Sequence, residues 1–261
     1  MTVAGTWQNE YGSRMALAVD AGDVFGIYES TTGSTGQYRV LGCQFPEEPT
    51  LEAGQAVALA IAWHSVADGP SDASWNWVSA LGGQISAVDG EEVLSVSHLL
   101  VASSDFPGLC RRGVYCDKLT YRRVAAEPAF PGHVQCGELQ RIDALAGCWR
   151  AGDGTVLDIH LKPEFNNCFG ILGGCLTMAG QALEIAGFSD ISAVKDRIGF
   201  QSVALTALDR EHNATVALGG WLEHASGNLV LQVLTSQATS PAESYLQTVI
   251  RPLQFLRSDG G

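Results

Sequence analysis

The sequence has no apolar run of membrane-spanning length, no Cys-x-x-Cys pair and only 15 basic side chains against 28 acidic ones. Each shortage removes a class of function. Without a long apolar run the chain is not a helical membrane protein. The seven cysteines, at 43, 110, 116, 136, 148, 168 and 175, lack zinc-ligand spacing, and an odd number excludes a complete intrachain disulfide set. Buried free thiols are the expectation, with Cys110–Cys116 and Cys168–Cys175 the two pairings that neighbouring strands would allow. The formal net charge of −13 is spread evenly: residues 1–125 carry 7 basic and 14 acidic side chains, and residues 126–261 carry 8 and 14. Neither half holds a basic patch, so neither nucleic acid nor an acidic membrane surface is expected as a partner. The four residues before Gly5 are too few for a secretory signal. The expectation is a cytoplasmic protein, or a secreted one from which a signal was removed.

What the sequence does contain is a repeat. GTWQNEYGSRMALAV at 5–19 returns as GCWRAGDGTVLDIHL at 147–161, and LGGQI at 81–85 returns as LGGWL at 218–222, at offsets of 142 and 137 residues. Two copies in the same order mean two similar domains, here placed at 1–125 and 145–261. Pro128, Pro131 and Gly132 mark 126–144 as the linker.

Within each copy the pattern is that of short strands. Alternation and β-branched or aromatic residues predict strands near 14–20, 23–29, 37–45, 55–64, 73–83, 93–103 and 112–124, with a first strand starting as early as Thr6. The segment at 112–124 has room to split in two, and the second half repeats the scheme at 155–161, 167–173, 181–188, 198–208, 214–223, 228–235 and 245–257. The fold class is therefore all-β, with two tandem eight-stranded antiparallel up-and-down barrels. A barrel of that size encloses one small ligand.

Seven separated stretches of the first half, GTWQNEYGS, GIYES, AIAW, SDASW, LGG, HLLVASS and CDKLTYRRV, resemble the avidin and streptavidin family in order and spacing. The second half resembles it more faintly, through GCW, LGGW, VLTS and the closing strand. The resemblance implies a biotin site in the first barrel. Asn9, Ser13 and Tyr28 fall where the family donates hydrogen bonds to the ureido oxygen, and Ser30 and Asp117 where it accepts from the ureido N–H groups. Trp63 and Trp75 match aromatic walls, with Trp77 the alternative to Trp75, and Ser34 and Ser71 fall where the carboxylate tail is held. The sequence departs from the family at His98, where a third tryptophan is usual, at Ala73, in place of a threonine, and at Leu109, where tetramers lend a tryptophan to a neighbour. Leu100 completes the set beside His98.

The second copy does not keep these residues. The landmarks align Asn9 with Ala151, Ser13 with Thr155, Tyr28 with Leu172, Ser30 with Gly174 and Asp117 with Arg251. The second barrel is thus expected to be a degenerate pseudo-dimer partner, with Thr155, His212, Gln232 and Arg251 as polar candidates for a different ligand. No cofactor is called for; biotin or a related small molecule enters as ligand, and a homodimer of two-barrel chains is the assembly the resemblance implies. The alternative is a barrel enzyme of secondary metabolism, a cyclase or isomerase, with Asp117 and His98 as acid and base. No nucleophile, metal or phosphate-loop motif supports it.

Overall fold

The structure, a computed structural model, describes residues 2–31, 34–50, 52–67, 70, 72–88, 90–128, 143–162, 169–240, 243 and 247–258. Eight strands form the first barrel: β1 (Gly5–Asn9), β2 (Arg14–Asp20), β3 (Asp23–Ser30), β4 (Gly36–Gln44), β5 (Gln55–Ala62), β6 (Val78–Val88), β7 (Glu91–Ala102) and β8 (Gly113–Ala125). Eight more form the second: β9 (Gly147–Ala151), β10 (Val156–Leu161), β11 (Phe169–Met178), β12 (Gln181–Asp190), β13 (Phe200–Asp209), β14 (Ala214–Glu223), β15 (Asn228–Gln237) and β16 (Gln247–Arg257). Each set pairs antiparallel in chain order and closes, first strand on last.

Two expectations change. The strand expected over 73–83 starts only at Val78, because the Asp72 carboxylate accepts the Ser74 N–H at 2.8 Å and starts a 3-10 turn over Ala73–Asn76. The segment at 112–124 does not split but runs unbroken as β8, Gly113–Ala125. Residues 129–142 of the expected linker lie outside the described residues.

The floors of the two barrels are built alike. The Trp7 indole donates to the Val3 carbonyl at 2.8 Å and lies under the Arg123 guanidinium; the Trp149 indole donates to the Leu145 carbonyl at 2.8 Å and lies under Arg257. All four apolar groups are fully buried or nearly so. A cation over an indole face adds about 0.5–2 kcal/mol to the burial of the ring.

β5, QAVALAIA, is buried on both faces. Val57, Leu59 and Ile61 point into the first barrel, while Ala58, Ala60 and Ala62 join a second apolar cluster with Ala204, Ala217, Leu234, Phe169 and Phe188 of the other barrel. The LGG repeats serve both surfaces. A Cβ on Gly83 or Gly220 would collide with the Ser95 or Val230 carbonyl of the neighbouring strand. One on Gly82 would meet Ser236 Oγ at 2.7 Å, and one on Gly219 would meet Ala80 Cβ at 2.9 Å, both across the barrel–barrel contact.

Polar bonds fix the register of that contact. Gln84 exchanges hydrogen bonds with Thr239, donating to its hydroxyl at 3.0 Å and accepting from its N–H at 2.7 Å. At the other side Asn76 donates to Asp190 at 2.8 Å, while the Asn76 carbonyl accepts from Ser202. Burial raises the Asp190 carboxyl to about 7; the Asn76 and Ser192 N–H groups oppose the rise, and Asp196 and Asp143 add to it. An acid whose folded pKa lies above its unfolded value of 3.8 stabilises the fold while protonated, and loses that contribution as pH rises through about 7. Asp190→Asn should therefore gain melting temperature relative to the parent chain at pH 8 and lose that advantage toward pH 4. Thermal unfolding at several pH values measures it; a difference that does not change with pH contradicts the assignment.

Candidate functional site

An up-and-down topology sends alternate connectors to opposite ends of a barrel. In the first barrel the connectors after β1, β3, β5 and β7 gather at one end, and the β5–β6 connector there runs from Trp63 to Trp77. Beneath them lies a cavity of about 180 Å³. Asn9, Tyr28, Ser30, His98 and Asp117 supply its polar lining together with Tyr11 and Tyr121, and Ile61, Trp63, Leu81, Leu100 and Leu119 supply the apolar walls. The strand alternation places these side chains inside, two residues apart along β7 (His98, Leu100) and along β8 (Asp117, Leu119, Tyr121).

Asn9 ends β1 and is buried; its side-chain carbonyl accepts the N–H groups of Tyr11 at 3.1 Å and Ser13 at 2.9 Å. Those bonds close the β1–β2 turn and leave the amide nitrogen as its remaining donor. Tyr28 packs edge-on to Trp63 at 5.8 Å between ring centres, and Tyr38 tilts against the same indole at 4.8 Å. The Trp63 N–H donates to Ser79 Oγ at 2.8 Å, and Ser79 Oγ bonds His98 Nε2 at 2.8 Å. Solvent reaches part of the His98 surface, but the protein around the imidazole holds its pKa down to about 4 by burial, which nearby Asp117 only partly offsets. His98 is therefore neutral at pH 7.

His98 and Asp117 are register partners across β7 and β8. Asp117 lines the cavity but is exposed. The reason is the length of β1, which pairs with β8 only from Tyr121 onward and leaves the Asp117 end of β8 without a neighbour on that side.

Several expected residues stand elsewhere. Ser13 is buried in the turn, where its hydroxyl accepts the Thr31 N–H at 3.3 Å, and is not among the cavity-lining residues. Ser34 ties two connectors together: its hydroxyl bonds Tyr38 at 2.9 Å, donates to Asp72 at 3.2 Å and accepts from Ser74 at 2.6 Å. Ala73 sits in the 3-10 turn, away from the cavity lining. Neither candidate wall is in place: Trp75 packs on His64 at 4.1 Å, and Trp77 donates to Ser104 and packs on Phe106 at 5.0 Å. Ser71 lies outside the described residues. The residues sequence reasoning missed are Ser79 and Tyr121. The signal for both was the alternation itself, which puts Ser79 in phase with Leu81 and Tyr121 in phase with Asp117.

The second barrel has the same backbone with a different interior. Register pairing equates Tyr28 with Leu176 and Ser30 with Met178, correcting the alignment to Leu172 and Gly174, because Met15 faces Tyr28 as Leu157 faces Leu176. The slip arises in the β10–β11 connector, Lys162 to residue 168, which replaces the two-residue turn Ala21–Gly22. By the same pairing Asn9, Ser79, His98 and Tyr121 become Ala151, Val216, Val233 and Phe255. Arg251, at the position of Asp117, bonds Asp153 at 2.9 Å and Met178 Sδ at 2.9 Å. Thr155 is buried in the β9–β10 turn, His212 pairs with Asp209 at 2.9 Å, and Gln232 sits out of phase with the inward Leu231 and Val233. Of the four polar candidates, Thr155 and Arg251 meet at Asp153, which accepts from the Thr155 N–H and from the Arg251 guanidinium at 2.9 Å each.

Among the described residues no His, Cys, Asp or Glu cluster fits a metal ion, and no helix is long and apolar enough to cross a membrane. Cys43, Cys110, Cys116, Cys148 and Cys175 are free thiols, so Cys110 and Cys116 do not pair; Cys136 and Cys168 lie outside the described residues.

The Trp63–Ser79–His98 chain gives a direct test. Ser79 is fully buried and serves two partners, so Ser79→Ala would strand both ring nitrogens and cost about 1–3 kcal/mol. Urea unfolding measures the loss, and unchanged stability would show that the chain does not hold the two rings together.

Residues 1–107 match the family model described as the Avidin family. No curated protein matches the chain. Among solved structures, the crystal structure of Xenavidin is similar at 20% identity over 47% of this chain and 97% of that one, with a TM-score of 0.37. The first barrel thus matches the Avidin family over residues 1–107, and a second closed eight-stranded barrel of the same antiparallel topology follows it in the same polypeptide.

Proposed function

We propose that the N-terminal barrel binds biotin, or a close relative with the same cyclic-urea head, and that the C-terminal barrel is its non-binding pseudo-dimer partner. The observation that carries this reading is the contrast between the two interiors. In the first barrel Asn9, Tyr28, Ser30 and Asp117 line one apolar-walled cavity, while the register equivalents are Ala151, Leu176, Met178 and an ion-paired Arg251. A flat, neutral head with one polarised oxygen and two N–H groups needs donors on one side and acceptors on the other, and this cavity offers both. Asn9 and Tyr28 take the donor role, and Ser30 and Asp117 the acceptor role.

Trp63, Leu100 and Leu119 are the apolar walls that would exclude water from the head. His98 supplies a neutral, hydrogen-bonded wall in place of a larger aromatic surface, so less apolar area is buried on binding. Affinity should fall below that of a cavity with a third tryptophan wall.

Calorimetry with biotin tests the reading, with Asp117→Asn as the informative variant. Asn still offers a carbonyl oxygen, and the exposure of Asp117 screens its charge, so a loss of about five- to tenfold in affinity is expected with an unchanged circular dichroism spectrum. No biotin binding by the parent chain would refute the proposal; equal binding by the variant would take Asp117 out of the site.

A further inference from the structure

Among the described residues six buried side-chain polar atoms have no hydrogen-bond partner, and of these the Tyr121 hydroxyl belongs to the lining of the first-barrel cavity. Tyr121 is fully buried, and its hydroxyl is shut away from solvent. An unsatisfied buried hydroxyl costs free energy. The second barrel shows that the fold does not need it. Tyr121 faces Asn9 across the β1–β8 seam as Phe255 faces Ala151 across the β9–β16 seam, and Phe255 is just as buried. The same ring in the same place therefore packs without the oxygen. The hydroxyl occurs where Asn9 stands in place of Ala151 and where the ring borders a cavity.

Asn9 and Tyr28 both lie close enough to act on the Tyr121 hydroxyl, yet neither completes a bond with it. Burial pushes its pKa well above the ordinary tyrosine value, so it remains a protonated donor. Ser13, the third donor expected from the sequence, faces the turn and accepts from Thr31.

We propose that Tyr121 is a ligand-contacting residue, its hydroxyl donating to the polarised oxygen of a cyclic-urea head and replacing Ser13 as the third donor beside Asn9 and Tyr28. This rests on the reading of the cavity as a biotin-type site and assigns it a donor set of its own. A single oxygen entering among the three groups would give all of them an acceptor. The hydroxyl that is a liability in the ligand-free barrel would then be satisfied only in the complex.

The experiment is Tyr121→Phe in the full chain, titrated with biotin and with 2-imidazolidone, the bare cyclic urea, beside thermal unfolding of the ligand-free protein. The expected result is a loss of about three- to tenfold in affinity for both probes with a ligand-free melting temperature equal to or above that of the parent chain. If the parent binds and the variant binds equally well, Tyr121 is not a ligand contact, and the biotin reading stands without it. Weaker binding together with a lower melting temperature would make Tyr121 a structural residue and overturn the proposal. If the parent chain takes up neither probe, both readings fall together.

Discussion

Successive side chains of a strand point to opposite faces, and β5 puts that rule to two uses at once: its Val57, Leu59 and Ile61 fill a barrel while its Ala58, Ala60 and Ala62 meet a neighbouring one. The large residues close the interior, and the small ones let a second curved sheet approach. β13 repeats the device from the other side, with Val203, Leu205 and Ala207 inward and Ala204 in the shared cluster. A slip of one residue in either strand would exchange the two sets and lose both surfaces. Interior and interface are therefore coupled, and the LGG repeats carry the coupling in adjacent glycines, one against its own barrel and one against the other.

Given that frame, the fate of each barrel is decided at a few inward positions near one end. The floors agree in detail, down to an indole bonded to the carbonyl four residues earlier and capped by an arginine. Toward the opposite end the interiors diverge. Ser79 and His98 keep a polar chain to Trp63 where Val216 and Val233 make only apolar contacts. Arg251 closes the second barrel with an ion pair to the β9–β10 turn. The outer face of the second barrel braces the first: Asp190 and Ser202 bond Asn76, one residue before Trp77, whose carbonyl accepts the Trp63 backbone N–H.

Much of this was legible in the sequence. The repeat, the alternation and the glycine-bounded strands gave two eight-stranded barrels, and the family-like motifs brought Asn9, Tyr28, Ser30, Trp63, His98, Leu100 and Asp117 to one cavity. What failed did so for local reasons. Trp75 and Ala73 were read as strand because alternation cannot register an aspartate that caps a turn. Tyr28 was paired with the wrong residue of the second half because a longer connector between β10 and β11 shifts the count by six without altering the pattern. Asp190 and Ser79 carry roles set by partners distant in sequence, which spacing alone does not reveal.

The central claim is that one chain holds two barrels and one site. Native mass spectrometry of the full-length protein titrated with biotin counts ligands per polypeptide directly, whatever the assembly. The account predicts saturation at one biotin per chain. Two per chain would mean that Leu176, Val233 and Arg251 do not close the second barrel to the ligand, and none would mean that the polar lining of the first serves some other molecule.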